Sequence, residues 1–210
     1  MRLLAEHSPH FDPATPWADR EDRLVGETRL FQQRMVRRRS PHSEREHDFT
    51  RLLCPDWVNV VAFTAPDHGS ELLVVEQFRH GIDASTLETI GGVCDPGEDP
   101  TGTARRELLE ETGHAAGRWV SLGSCAPNPA IQDNRCHFFL ALECVPVAAL
   151  DLDPSEELRV WGLPWAEADR LLREGRLDHA LVMAALLRLF LWPGWEAFRA
   201  TLEAGAPGPS

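Results

Sequence analysis

The sequence predicts an α/β protein in which a mixed sheet lies between helical layers, and three observations carry that expectation. Residues 57–65 (WVNVVAFTA) and 71–77 (ELLVVEQ) are β-branched, apolar runs joined by Pro66-Asp67-His68-Gly69-Ser70, a hairpin signal. One central helix is bracketed by Asp99-Pro100, a preferred N-cap followed by a proline at the first helical position, and by Gly113 as its stop. Two further helical segments, 164–174 and 177–192, close the fold, the first with leucines and alanines at helical spacing and the second largely buried. Strands before and after a central helix, with near-continuous apolar character, need cover on both faces.

At 210 residues and 43% hydrophobic content, the chain holds one domain with room for extensions. Residues 1–20 contain Pro9, Pro13 and Pro16, show no periodicity, and read as an N-terminal extension. Residues 21–55 hold two strands, near 28–38 and 47–53, about a Ser40-Pro41-His42-Ser43 turn. Arg34, Arg37, Arg38 and Arg39 form a basic cluster, read as a charged sheet edge in preference to a substrate contact. The main domain covers 56–195. Within it, residues 119–125 and 134–144 are strands flanking a proline-fixed loop at 126–130, and 158–163 is a strand after the acidic loop 151–157. His137 reads as a satisfied strand residue. Trp161, Trp165, Trp192 and Trp195 read as core or interface anchors, a cleft-facing tryptophan being the alternative. The tail 203–210 (EAGAPGPS) reads as disordered by composition.

Composition narrows the function classes. A net charge of −12 offers the phosphate backbone no basic stripe, which argues against nucleic acid as a partner; phosphorylated small molecules stay accessible through a metal. All basic charge is arginine and there is no lysine or tyrosine, so catalysis by either is excluded. Cys54, Cys94, Cys125, Cys136 and Cys144 are odd in number and lack a CxxC, which suggests reduced thiols and neither a disulfide framework nor a zinc site. His7, Pro9, His10 and Asp12 interrupt any signal-peptide core, and the apolar run 180–192 is short and carries Arg188. The expectation is a cytoplasmic protein with no membrane partner.

The chemistry concentrates in residues 91–114, GGVCDPGEDPTGTARRELLEETGH. Glu107, Glu110 and Glu111 stand at i, i+3 and i+4, so their carboxylates share one helix face and repel one another unless a cation neutralises them. Oxygen donors without matched cysteine or histidine suit Mg²⁺ or Mn²⁺, and Mg²⁺ characteristically keeps waters and bridges to phosphates. Gly91 and Gly92 allow close approach of the backbone and a carbonyl toward the metal. The alternative is a solvated acidic face. Arg79, at a strand end ahead of the glycine loop, suits a phosphate clamp or, equally, a surface ion pair.

The spacing from Gly92 through Glu98, Arg106-Glu107-Leu108 and Glu110-Glu111 to Gly113 resembles the signature of the Nudix hydrolases. His114 departs from it, since an aliphatic residue usually follows the last glycine. The resemblance covers roughly residues 22–191 and implies a Nudix-type α/β/α sandwich with a mixed β-sheet. It also implies divalent-metal hydrolysis of a nucleoside diphosphate linked to another moiety. Glu107, Glu110 and Glu111 would hold Mg²⁺ (or Mn²⁺), Arg106 would orient them, and Glu98 would serve as a loop-to-helix or secondary metal residue. VEQFRHG, followed by Leu87-Glu88 and the box, is similar to the ADP-ribose pyrophosphatase branch, which implies that Arg79 and Glu88 meet substrate. Pro129 matches a proline of that branch, and a homodimer built through the N-terminal strands is implied with it. Its usual Glu-x-Pro-Ala-Gly reads Glu88-Thr89-Ile90-Gly91-Gly92 here. In related ADP-sugar hydrolases a loop glutamate deprotonates the attacking water, which makes Glu156 and Glu157 candidate bases beside Glu110 and Glu111. A catalytically silent Nudix-fold nucleotide sensor is the alternative function, although such proteins commonly lose box residues that are all present here.

Overall fold

The computed structural model describes residues 15–152 and 157–204. The chain divides into two units, one formed by 1–55 with 128–134 and the other by 56–127 with 135–210.

The first unit is an antiparallel meander of β1 (Ala18–Glu27), β2 (Gln32–Arg39) and β3 (Glu46–Leu53). β1 is a strand that the sequence did not suggest, because every one of its residues is exposed and it has no apolar alternation. Its register on β2 is marked by charge: Arg34 pairs with Asp22 and Arg38 with Asp19, while Arg37 pairs with Asp48 on β3. Three of the four arginines of the basic cluster thus pair with neighbouring strands, and Arg39 pairs with Glu44 in the turn. The strand expected from residue 28 begins at Gln32 instead. The Thr28 hydroxyl oxygen accepts the Leu30 and Phe31 N–H groups and shapes a turn. Ser40 does the same for His42 and Ser43 in the expected second turn.

The second unit holds β4 (Trp57–Thr64), β5 (Leu72–Arg79), β6 (Ala84–Glu88), β7 (Ile90–Val93), α1 (Pro100–Thr112), β8 (His114–Cys125), β9 (Cys136–Pro146), β10 (Leu158–Leu163), α2 (Trp165–Arg173), α3 (Ala180–Phe190) and α4 (Trp195–Ala204). The sheet order is β10-β5-β4-β9-β8, with β6 on β5 and β7 on β4. Only β4 and β9 run parallel, so the sheet is mixed as expected. β4 and β5 pair at Ala62–Leu73 and Phe63–Leu72 and then part. The backbone groups freed by that parting are taken by β6 and β7, two short strands in a stretch that reads as a loop in sequence.

Alternation along β4 and β5 splits the core in two. Val58, Val60, Ala62, Leu73 and Val75 pack with Ala104 and Leu108 of α1. Val61, Phe63, Leu72 and Val74 pack with Trp165, Leu186, Leu189, Trp195 and Leu202 of α2, α3 and α4. The result is the α/β/α layering anticipated for this unit. Trp165 and Trp195 are core anchors, whereas Trp161 is exposed and donates its Nε1–H to Glu76. Glu203 and Ala204, expected in a disordered tail, belong to α4, which Leu202 ties to the core; residues 205–210 lie outside the described residues, as do 1–14. All five cysteines are free thiols. Among the described residues no single helix is long and apolar enough to cross a membrane.

Candidate active site

The phase of α1 is set at both ends. Asp99 Oδ1 accepts the N–H groups of Thr101 (2.8 Å) and Gly102 (3.2 Å), and Pro100 opens the first turn. Gly113 ends the helix at φ +69°, where a Cβ would lie 2.3 Å from the Ala148 carbonyl oxygen. His114, which follows it, accommodates its ring by a 2.7 Å contact from Nδ1 to the Thr112 carbonyl.

With that phase, Arg106 meets the acidic face. Its Nη1 donates to Glu107 Oε1 (2.8 Å) and Glu110 Oε2 (2.9 Å), and its Nη2 to Glu98 Oε2 (3.1 Å) and the Val93 carbonyl (3.2 Å). Burial alone would lower the guanidinium pKa; the hydrogen bond to Glu98, the charge of Glu107 and the hydrogen bonds to Glu110 and Glu107 outweigh it and raise it. Glu98 in turn is held below the usual carboxylate value, chiefly by Arg106 and also by the Thr103 hydroxyl.

The glycines are required by contact. A Cβ on Gly92 would lie 2.0 Å from Glu107 Oε1, so the absent methyl is the space that the carboxylate occupies. Gly91 donates its N–H to Glu111 Oε2 (3.3 Å), and a Cβ there would meet the Val58 carbonyl at 2.6 Å. Among the described residues no three His, Cys, Asp or Glu side chains are drawn together as a ready-made metal cage. The donor set nonetheless fits a hard cation that keeps part of its water: oxygen donors only, with Glu107 nested against the loop and Glu110 half open to solvent.

Beside these glycines, where β4 and β5 part, a cleft of ≈370 Å³ opens, walled by Trp57, Asn59, Arg79, Glu88, Thr89 and His179 among others. Arg79 Nε and Nη2 each donate over 2.7 Å to the two oxygens of Glu88, whose residue is only 3% exposed. Burial pushes the Glu88 pKa up, but the hydrogen bonds from Arg79 and the Thr86 hydroxyl bring it below the ordinary value. On the cleft wall the Thr89 hydroxyl donates to Asn59 Oδ1 at 2.6 Å.

A NUDIX domain family model matches residues 55–186. The chain belongs to the Nudix family. Its relatives include an ADP-ribose pyrophosphatase of Bacillus subtilis (strain 168), 32% identical over 144 residues that make up 68% of this chain and 76% of the relative. A methanol dehydrogenase activator of Bacillus methanolicus is 32% identical over 138 residues, 65% of this chain and 73% of that protein. The crystal structure of an ADP compounds hydrolase superposes with a TM-score of 0.74 over 85% of this chain and 94% of that one, at 22% identity, which speaks for the fold. The protein is a Nudix hydrolase, and Nudix hydrolases generally use divalent metal ions.

In this Nudix hydrolase Arg79, Glu88, Gly91 and Gly92 line the cleft, and Glu107 and Glu111 abut its glycines from α1. Arg79 is ion-paired with Glu88. Glu157 is exposed and faces a different groove, shared with Glu76, Gln77 and Phe78; Glu156 lies outside the described residues. Pro129, in the first unit, lines a groove of ≈160 Å³ with Phe49 and Ile131. Cleft residues that the sequence reading passed over are Trp57, Asn59, Thr89 and His179. An amide inside the apolar run WVNVVAFTA was a usable signal, since a buried polar residue is the informative exception. Nothing local to His179 connects it to a glycine loop almost ninety positions earlier.

Proposed function

We propose that the protein hydrolyses a nucleoside diphosphate linked to a second moiety, such as ADP-ribose or another nucleoside diphosphate sugar, with Mg²⁺ or Mn²⁺. The observation that carries this reading is the contact of Glu107 with Gly92: an oxygen-only carboxylate face presses on the glycine floor of a substrate-sized cleft. The relative named ADP-ribose pyrophosphatase supports the substrate class. Ile90-Gly91-Gly92 stands here in place of the Pro-Ala-Gly of the ADP-ribose branch pattern.

Glu107, Glu110 and Glu111 would hold the cation, which when bound supplies charge neutralisation at the diphosphate and a more acidic water. Arg106 keeps the glutamates apart and aimed by spending its donors on Glu98, Glu107 and Glu110. Glu111 is set by the Gly91 N–H. The base that takes the water's proton is drawn from Glu110 and Glu111, with the loop residue Glu156 as the alternative; Glu157 faces another groove. The N-terminal strands carry exposed Leu24, Val25 and Phe49, with exposed Trp17 just ahead of β1, an apolar complement that supports a homodimer through this sheet.

The test is a screen of nucleoside diphosphate conjugates with Mg²⁺ or Mn²⁺ in oxygen-labelled water, products being identified by mass spectrometry. A metal-dependent split of the diphosphate with label in one phosphate product is expected. No product from any conjugate with either cation would overturn the reading.

A further inference from the structure

We infer that Asn59 donates a hydrogen bond from its side-chain amide to a phosphate oxygen of the substrate, with Thr89 as the residue that positions the amide. The inference rests on the diphosphate substrate proposed above and assigns a further contact in the same cleft.

Asn59 is an amide set in the apolar run of β4, and it walls the cleft although it is only 5% exposed. A primary amide brings one acceptor oxygen and two N–H donors, and a buried one is expected to have them met. The oxygen is met. The hydroxyl of Thr89, itself 2% exposed, donates to Oδ1 at 2.6 Å and so fixes which edge of the amide is left over. Among the described residues Nδ2 has no protein acceptor, yet the side-chain polar atom that is both sealed from solvent and without a partner is Asn134 Oδ1. Nδ2 therefore keeps access to solvent, and the opening that Asn59 borders is the cleft.

Strand register locates this donor. Asn59 stands opposite Gly91 in the β4–β7 pair, and its Nδ2 lies 3.6 Å from where a Cβ on Gly91 would be. The N–H of Gly91 is given to Glu111 Oε2 at 3.3 Å. One glycine thus has a box carboxylate on its backbone and the Asn59 amide beside its missing side chain. A diphosphate laid on this glycine floor presents oxygens that carry charge and no proton, so each needs a donor. The carboxylates of the box cannot supply one. Asn59 does so without adding charge to a wall where Arg79 and Glu88 already balance. An amide, and not the carboxylate of the same shape, is what an anionic ligand requires here.

The experiment pairs calorimetric titration of ADP with nuclear magnetic resonance of side-chain amides. Asn59→Asp keeps the shape and the oxygen that Thr89 holds, and exchanges the N–H donors for an acceptor. Loss of one hydrogen bond to a charged oxygen predicts at least ~10-fold weaker ADP binding and a matching rise in KM for diphosphate conjugates. Thr89→Val should also weaken ADP binding and Thr89→Ser should restore it; failure of the serine rescue removes Thr89 from its positioning role. In the wild-type protein the Asn59 Nδ2 resonances should move downfield on addition of ADP, a readout that does not depend on any variant folding. Inorganic pyrophosphate, which has the phosphates and no sugar hydroxyl, should move them in the same direction. Unchanged ADP affinity in Asn59→Asp, Asn59 resonances that stay in place, or a response to ADP without one to pyrophosphate overturns the inference even if the enzyme is active. Responses to both ligands in a protein that splits no diphosphate conjugate keep the inference and remove the hydrolytic reading.

Discussion

Replacing Gly92 with alanine separates the site from the fold. The new Cβ would lie 2.0 Å from Glu107 Oε1 and 2.2 Å from its Cδ. Ordinary contact begins near 3.5 Å, so the carboxylate must retreat by about 1.5 Å. Displacements of ~1 Å at reacting groups cost on the order of 100-fold in rate, which is the expected loss of metal-dependent turnover. Stability should change little. The atom that yields is the end of a flexible side chain, and the Arg106–Glu107 pair it weakens is partly exposed and worth at most about 1 kcal/mol. Alanine also returns about 0.4–1 kcal/mol by restricting the unfolded chain. Gly91→Ala is the contrast, because its Cβ would meet the Val58 carbonyl of β4 at 2.6 Å and backbone cannot swing aside. It should cost about 1–3 kcal/mol as overpacking. The assay is turnover of a diphosphate conjugate with Mg²⁺, alongside urea unfolding of both variants. Wild-type turnover in Gly92→Ala, or a stability loss equal to that of Gly91→Ala, would refute the assignment of Glu107 to that space.

Glu111→Gln keeps an oxygen for the Gly91 N–H and should unfold like the wild type while losing roughly 100-fold or more in turnover; full activity would remove Glu111 from the site. The Glu88 carboxyl sits below its ordinary value of 4.5, so the unfolded chain binds its proton more readily. Its contribution to stability is therefore present above pH 4.5 and lost as the pH falls through the lower folded value. The stability gap between wild type and Glu88→Gln should narrow in acid, and a gap that stays constant below pH 4.5 would contradict the Arg79–Glu88 pairing. Burial pushes the Cys136 and Cys144 thiols up to about 12, so alkylation of the native protein at pH 8 should spare both, and mass spectrometry after denaturation should find all five cysteines modified.

What was legible in the sequence is what depends on local chemistry. Asp99-Pro100 and Gly113 bound α1 because capping and left-handed termination are decided within a few residues. The apolar runs of β4 and β5 announced a sheet covered on both faces because burial on two sides leaves no polar alternation. Strands without such a pattern were not legible. β1 is exposed along its whole length, and β6 and β7 exist because β4 and β5 part and leave backbone groups to be paired. Their cause is in their neighbours.

The same division runs through the site. Helical periodicity alone put Glu107, Glu110 and Glu111 on one face, and their spacing from Gly92 named the family. Tertiary structure decided that Gly92 is the space for Glu107, that Arg79 pairs with Glu88, and that His179 reaches the cleft from α3. The acidic box is a matter of spacing along one helix, which the order of residues determines. The opposite wall of the cleft is assembled from segments remote in sequence, and only the packing of α3 against the sheet brings them within reach of one substrate.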